Sequence, residues 1–168
     1  FQNKLNLYIF LEYIDGLNLE QFLAKNQVSY RRKLQLLIDV ARGIKRIHQK
    51  SFIHKDIKPD NILFRSKKPS DCVLIDFGLS SFTNISEILF PKCGTPGFVA
   101  PEILKINMST DKEVEFSTQC DIFSLGAVLY FMYLTSFNPR TFLKPPFAGQ
   151  SPFSTGTSGS AHRVTTDI

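Results

Sequence analysis

Between Phe52 and Leu63 the chain reads Phe-Ile-His-Lys-Asp-Ile-Lys-Pro-Asp-Asn-Ile-Leu. His54, Lys55, Asp56, Lys58 and Asn61 are packed there between apolar residues at both ends. A carboxylate, two ammonium groups and an amide in one turn are poor material for a core. They suit a site that handles an anion and a metal ion. Pro59 removes a backbone donor and biases Lys58 away from helix, so the stretch is predicted to be a loop. Two further stretches carry reactive types. Val73-Leu74-Ile75-Asp76-Phe77-Gly78 is an apolar run ending in a carboxylate, an aromatic ring and a glycine. Gly94-Thr95-Pro96-Gly97-Phe98-Val99-Ala100-Pro101-Glu102 sets a hydroxyl among turn formers.

In this order the three stretches resemble the signature set of the eukaryotic protein kinases, H-R-D-x-x-x-x-N, D-F-G and A-P-E. Here these read His54-Lys55-Asp56 with Asn61, Asp76-Phe77-Gly78 and Ala100-Pro101-Glu102. The resemblance runs from about Leu5 to Tyr133. It implies an α+β fold: the mainly helical large lobe of a kinase-like domain with a short β-hairpin, its small lobe missing. On this basis residues 1–148 are expected to form a partial catalytic domain and residues 149–168 a flexible tail rich in Ser, Gly and Thr.

The implied chemistry is phosphoryl transfer from ATP, with Mg2+, to serine or threonine hydroxyls of a protein substrate. Such transfer needs positioning and charge neutralisation more than covalent chemistry. Asp56 matches the catalytic aspartate, and Lys58 the cation near the transferred group. Asn61 and Asp76 offer the oxygen ligands magnesium prefers. Thr95 matches the threonine held near the catalytic aspartate in serine- and threonine-directed members, or is an ordinary turn residue. Leu11, Glu12, Ile14, Asn18, Leu63 and Asp76 match nucleotide-contacting positions, Glu12 and Ile14 through their backbones. His54 and Phe77 are expected to stack on each other, and Asp121 to hold the backbone of the loop.

Departures from the family pattern are plain. The sequence holds no G-x-G-x-x-G, no V-A-I-K lysine and no partner glutamate upstream, and no arginine helix for Glu102. Lys55 stands in place of the usual arginine and lacks its planar fork. The chain therefore reads as a fragment of a kinase domain. The alternative is a non-catalytic interaction module, a kinase remnant.

Several elements must position these residues. Leu7 to Leu11 reads as a buried strand, followed by a turn over Glu12 to Gly16. Asn18 with Gln21 forms a capping pattern for a short helix, a role that competes or coexists with a place near the ribose. Ser29 opens a helix to about Gln49, with Leu34, Leu37, Ile38, Ala41, Ile44 and Ile47 as its apolar face and Arg31, Arg32, Lys33, Arg42, Lys45 and Arg46 mostly outside. Ile62–Phe64 and Val73–Ile75 read as paired strands joined by a polar turn over Arg65 to Asp71. Leu79 to Cys93 reads as an exposed segment and Ile103 to Phe116 as a polar connection. Thr118 and Asp121 open a helix from Ile122 to about Leu134, read as buried rather than membrane-spanning.

The 168 residues suit one domain. The net charge of +5 comes from scattered basic residues, which suits a solvated surface, and those of the long helix lack the interleaved aromatics that nucleic acid would need. Cys72, Cys93 and Cys120 form no C-x-x-C, which fits reduced thiols in the cytoplasm or nucleus. No secretory signal or membrane association is expected, and the sequence leaves the oligomeric state open.

Overall fold

The computed structural model describes residues 8–65, 68–83, 93–105 and 116–135. Its first element is β1 (Gly16–Asn18), which leads directly into α1 (Leu19–Lys25). The junction is a full capping box. The Asn18 side chain accepts from Gln21 N at 2.8 Å, and Gln21 Oε1 accepts from Asn18 N at 3.2 Å. Two donors left over by the helix start are satisfied reciprocally, the arrangement the sequence pattern implied.

Helix α2 (Tyr30–His48) begins where Ser29 Oγ accepts from Arg32 N at 3.3 Å. Its buried positions are Lys33, Leu36, Val40 and Ile44, at helical spacing. This corrects the expected face: Ile38 is exposed, and Leu34, Leu37, Ala41 and Ile47 are half-buried. Lys33, expected outside, is buried, and its Nζ donates to Met132 O at 2.6 Å. A long side chain can follow an apolar surface with its stem while its head reaches a carbonyl, so charge type alone misassigned it.

The chain then forms β2 (Phe52–Ile53), the loop, and a 3₁₀ turn at Pro59–Asn61. The hairpin of β3 (Ile62–Arg65) and β4 (Lys68–Leu74) follows. β4 starts earlier than expected and stops before Ile75. The three-stranded antiparallel sheet has the order β1-β3-β4, with Asn18 opposite Leu63 and Gly16 opposite Arg65. Along β3, Ile62 and Phe64 are buried while Leu63 and Arg65 are half-buried, the period-two pattern of a strand with one face on the core.

β5 (Ser81–Phe82) pairs antiparallel with β2, so Ser81 is buried at the start of a stretch expected to be exposed throughout. Residues 84–92 of that stretch lie outside the described residues. α3 (Pro101–Leu104) opens the expected polar connection, most of which also lies outside them, as does the expected tail. α4 (Gln119–Leu134) starts three residues before the expected Ile122. Thr118 precedes it without a side-chain cap, and Asp121 turns elsewhere. The helix is buried on one side only, through Cys120, Asp121, Ser124, Ala127, Val128, Phe131 and Met132; Ile122, Tyr130 and Tyr133 face outward. No described helix is long and apolar enough to cross a membrane.

Tyr8 to Leu11 is the largest departure. The run is not a strand and its side chains are exposed, Phe10 reaching 95%. Its apolar character marks it for a sheet, but β1 has taken the place beside β3 and no described strand lies alongside Tyr8–Leu11.

Two apolar clusters support the loop. The larger joins Leu19 and Leu23 of α1, Leu36, Val40 and Ile44 of α2, Ile62 and Phe64 of β3, and Val128, Phe131 and Met132 of α4, and it includes Ile57 from the loop itself. The smaller joins Ile53, Ala100, Ile103, Phe116 and Cys120. Each fully buried aliphatic side chain contributes roughly 1.5–3 kcal/mol by leaving water. Ile57 thus anchors the loop between Asp56 and Lys58 from below.

Candidate active site

The loop keeps an unusual backbone because α4 holds it. Asp121, fully buried, accepts from His54 N at 2.9 Å through Oδ2 and from Lys55 N at 2.9 Å through Oδ1. Oδ2 also meets His48 Nε2 at 2.8 Å, a contact the sequence reading missed. His48 and Asp121 lie 73 residues apart, so no local spacing could reveal it. Lys55 sits at φ 65°, a left-handed conformation that costs an L-residue roughly 1–2 kcal/mol. The two charge-assisted bonds to Asp121 offset that cost.

The His54 ring packs against Phe77 with centroids 4.9 Å apart. Its Nε2 lies 3.1 Å from Ile75 O, and its Nδ1 accepts from Asp56 N at 3.3 Å. A carbonyl can only accept, so the proton is assigned to Nε2. His54 thereby ties the loop to the end of the hairpin. Lys55 turns its ammonium group over the Phe116 ring, 4.4 Å from the centroid. Its charge lies on an aromatic face.

Four of the sequence-selected residues meet at one point. Asp56 Oδ1 accepts from Thr95 Oγ1 at 2.6 Å, and its Oδ2 lies 2.8 Å from Lys58 Nζ. Lys58 Nζ also donates to Thr95 Oγ1 at 2.8 Å, closing a triangle. Asn61 Nδ2 donates to Asp56 Oδ2 at 3.0 Å and to Asp56 O at 2.9 Å. The amide nitrogen is thus committed to Asp56, and its carbonyl oxygen is the atom left for a cation.

Thr95 reaches this point across the chain because Gly94 lets it. Gly94 has φ 113°, and a Cβ there would lie 3.2 Å from Lys55 O and 3.1 Å from Val99 Cγ2. Below it, Thr95 O accepts from Phe98 N and Val99 N, both at 3.0 Å. Ser124 Oγ of α4 donates to Phe98 O at 2.7 Å, so α4 fixes both the loop and the turn that faces it.

Asp76 stands apart from the triangle. It is exposed, sits at φ 62°, and its Oδ1 accepts from Gly78 N at 3.2 Å. Its neighbour Ile75 donates N–H to Asn61 O at 3.0 Å, so the hairpin brings the two segments side by side. One exposed carboxylate and one amide oxygen fit the oxygen-rich, partly hydrated shell of Mg2+. The described residues contain no cluster of three His, Cys, Asp or Glu suited to a tighter metal site.

The other residues matched to nucleotide contacts fall in two places, on the β1–β3 pair and on the segment before β1. Leu63 and Asn18 face each other across β1 and β3, with the Asn18 side chain already committed to its cap. Leu11, Glu12 and Ile14 lie in residues 8–15, the connecting segment that leads into β1; Leu11 and Glu12 are exposed and Ile14 is half-buried. Glu12 takes a two-pronged contact from Arg65: Nη1 to Oε1, and Nη2 to Oε2 at 3.1 Å. The arginine hydrogen bond holds the Glu12 carboxyl below its ordinary range.

Comparison with known proteins supplies the context for this geometry. The protein kinase domain family matches residues 1–144. The chain is 36% identical over 130 residues to probable serine/threonine-protein kinase 2 of Plasmodium falciparum, covering 74% of this chain and 23% of that protein. It is 32% identical over 143 residues to calcium/calmodulin-dependent protein kinase type I of Schizosaccharomyces pombe, covering 83% of this chain and 40% of that one. Over 162 residues it is 32% identical to citron rho-interacting kinase of Rattus norvegicus, covering 94% of this chain and 7% of the relative. The chain thus spans well under half the length of each of these proteins.

Proposed function

The chain belongs to the protein kinase family, and from that premise we propose that it forms part of a serine/threonine kinase, transferring a phosphoryl group from ATP to a protein hydroxyl. The observation that carries this reading is the closed triangle of Asp56, Lys58 and Thr95, with Asn61 bonded to the same carboxylate. A kinase must orient an acceptor hydroxyl and take its proton. Asp56 is the group for both tasks. The Thr95 hydroxyl on Oδ1 occupies the kind of position an acceptor hydroxyl needs, and it supports serine and threonine as substrates.

In the transfer, the acceptor oxygen forms the new P–O bond and the bond from the terminal phosphorus to the bridging oxygen of ATP breaks. ADP leaves with that electron pair, and the acceptor proton passes to Asp56. Lys58 offsets negative charge on the transferred group. Asn61, through its free carbonyl oxygen, and Asp76 would hold Mg2+. When bound, that ion neutralises charge on the phosphates. Leu63 and the backbone of Glu12 and Ile14 would line the adenine slot, with Leu11 at its back.

The test is Asp56→Asn in the native full-length protein, followed by transfer of labelled phosphate from ATP to a serine/threonine peptide. The expected loss in kcat is about 10²–10⁴-fold, the contribution of a positioned general base. Retained transfer would overturn the reading. Mg·ATP binding is expected to raise Tm, because a ligand at about 100 times its Kd stabilises the folded state by about 2.7 kcal/mol. No shift, together with no transfer, would leave a non-catalytic interaction module.

A further inference from the structure

We infer that Arg65 is a positioning residue for the nucleotide, clamping the connecting segment that carries Glu12 to the strand that carries Leu63. This rests on the kinase reading above. On β3, Leu63 and Arg65 lie on the same face, because Ile62 and Phe64 between and beside them enter the core. From that face the Arg65 guanidinium reaches the segment that carries Glu12. There it grips both oxygens of Glu12, flanked by the exposed side chains of Leu11 and Tyr13.

The segment needs such a restraint. Tyr8, Ile9, Phe10, Leu11 and Tyr13 are all exposed, so among the described residues apolar packing does not fix it. Among the described residues, the Arg65 fork is the polar contact that ties residues 8–14 to the sheet. A planar guanidinium on a carboxylate fixes orientation as well as distance, which a lysine ammonium does not. The backbone groups of Glu12 and Ile14 are the ones proposed to meet adenine. Their spacing from Leu63 is then set by a side-chain pair that touches no ligand atom. A site held in its binding geometry beforehand loses less entropy on binding.

The experiment uses the native full-length protein with four variants: Arg65→Ala, Arg65→Lys, Glu12→Arg, and the reversal Glu12→Arg with Arg65→Glu. The readouts are the Kd of a fluorescent ATP analogue, Tm, and KM and kcat for ATP and for peptide. Arg65→Ala is expected to raise the nucleotide Kd and the KM for ATP about 2- to 5-fold, the range of an exposed ion pair. It leaves kcat and the peptide KM unchanged. Arg65→Lys falls between, and the reversal recovers most of the loss. The difference from wild type shrinks in about 0.5 M salt, because exposed charges are screened.

An unchanged Kd in Arg65→Ala while wild type binds nucleotide overturns the clamp and leaves the kinase reading standing. So does a loss that the reversal cannot restore, or one in which kcat, peptide KM and Tm all fall together. A wild-type protein that binds no nucleotide overturns both.

Discussion

The fully buried Asp121 carboxylate accepts from two buried backbone N–H groups and faces Nε2 of half-buried His48. Removing it leaves donors buried without partners, which costs more than the bonds themselves contribute. Asp121→Ala is therefore expected to lower stability by about 3–5 kcal/mol, as for other broken buried charge networks. Asp121→Asn keeps one good acceptor oxygen and should lose less; urea unfolding of the two variants checks the order. A second residue-scale expectation concerns sulfur. Burial, with Asp121 beside it, pushes the Cys120 thiol up to about 12, so at neutral pH it stays protonated and inert. Cys72 and Cys93 are only half-buried. Iodoacetamide mapped by peptide mass should label those two in the folded protein and Cys120 only after unfolding. Rapid labelling of folded Cys120 would contradict its burial in the first turn of α4.

At the scale of elements, α2 and α4 are joined by a buried lysine as well as by apolar packing. Lys33 Nζ reaches the carbonyl of Met132 near the C-terminal end of α4, where the helix dipole is negative. Lys33→Ala removes both the bond and the packed stem. It is expected to cost about 1–3 kcal/mol in thermal or urea unfolding, against about zero for exposed Lys45→Ala. The link from α2 to β2 offers the opposite sign. Ser51 closes the helix at φ 59°, so Ser51→Gly should relieve strain and stabilise by roughly 0.5–1 kcal/mol. Much of this scale was legible in the sequence: the Asn18–Gln21 box, the Ser29 cap, the long α2 and the β3–β4 hairpin each rest on short-range chemistry. β1, β2 and β5 were not, because strands of two or three residues show no alternation and their partners lie far along the chain. The site was legible as a set of types, Asp56, Lys58, Asn61 and Thr95. What bound them together, His48 through Asp121 and Ser124 through Phe98, required contacts that no spacing announces.

For the molecule as a whole, the balance of buried and exposed apolar surface is uneven. Tyr8, Ile9, Phe10, Leu11 and Tyr13 on one segment, and Ile122, Tyr130 and Tyr133 on α4, all face outward. Exposed apolar side chains gathered in this way favour association. The 168-residue chain expressed by itself is expected to enhance the fluorescence of an apolar dye and to elute above its monomer mass. The native full-length protein should do neither. Equal behaviour of the two would mean that these side chains find cover within the chain. Asp121 also imposes an order in time. It stands 66 residues beyond Lys55, so on a translating ribosome, at about 5–20 residues per second, roughly 3–13 s separate the synthesis of the two. Throughout that interval the nascent polypeptide already carries Asp56, Lys58 and Asn61 but not the carboxylate that bends their backbone into shape. A ribosome stalled before α4 would thus display every polar group of the loop on a backbone not yet fixed.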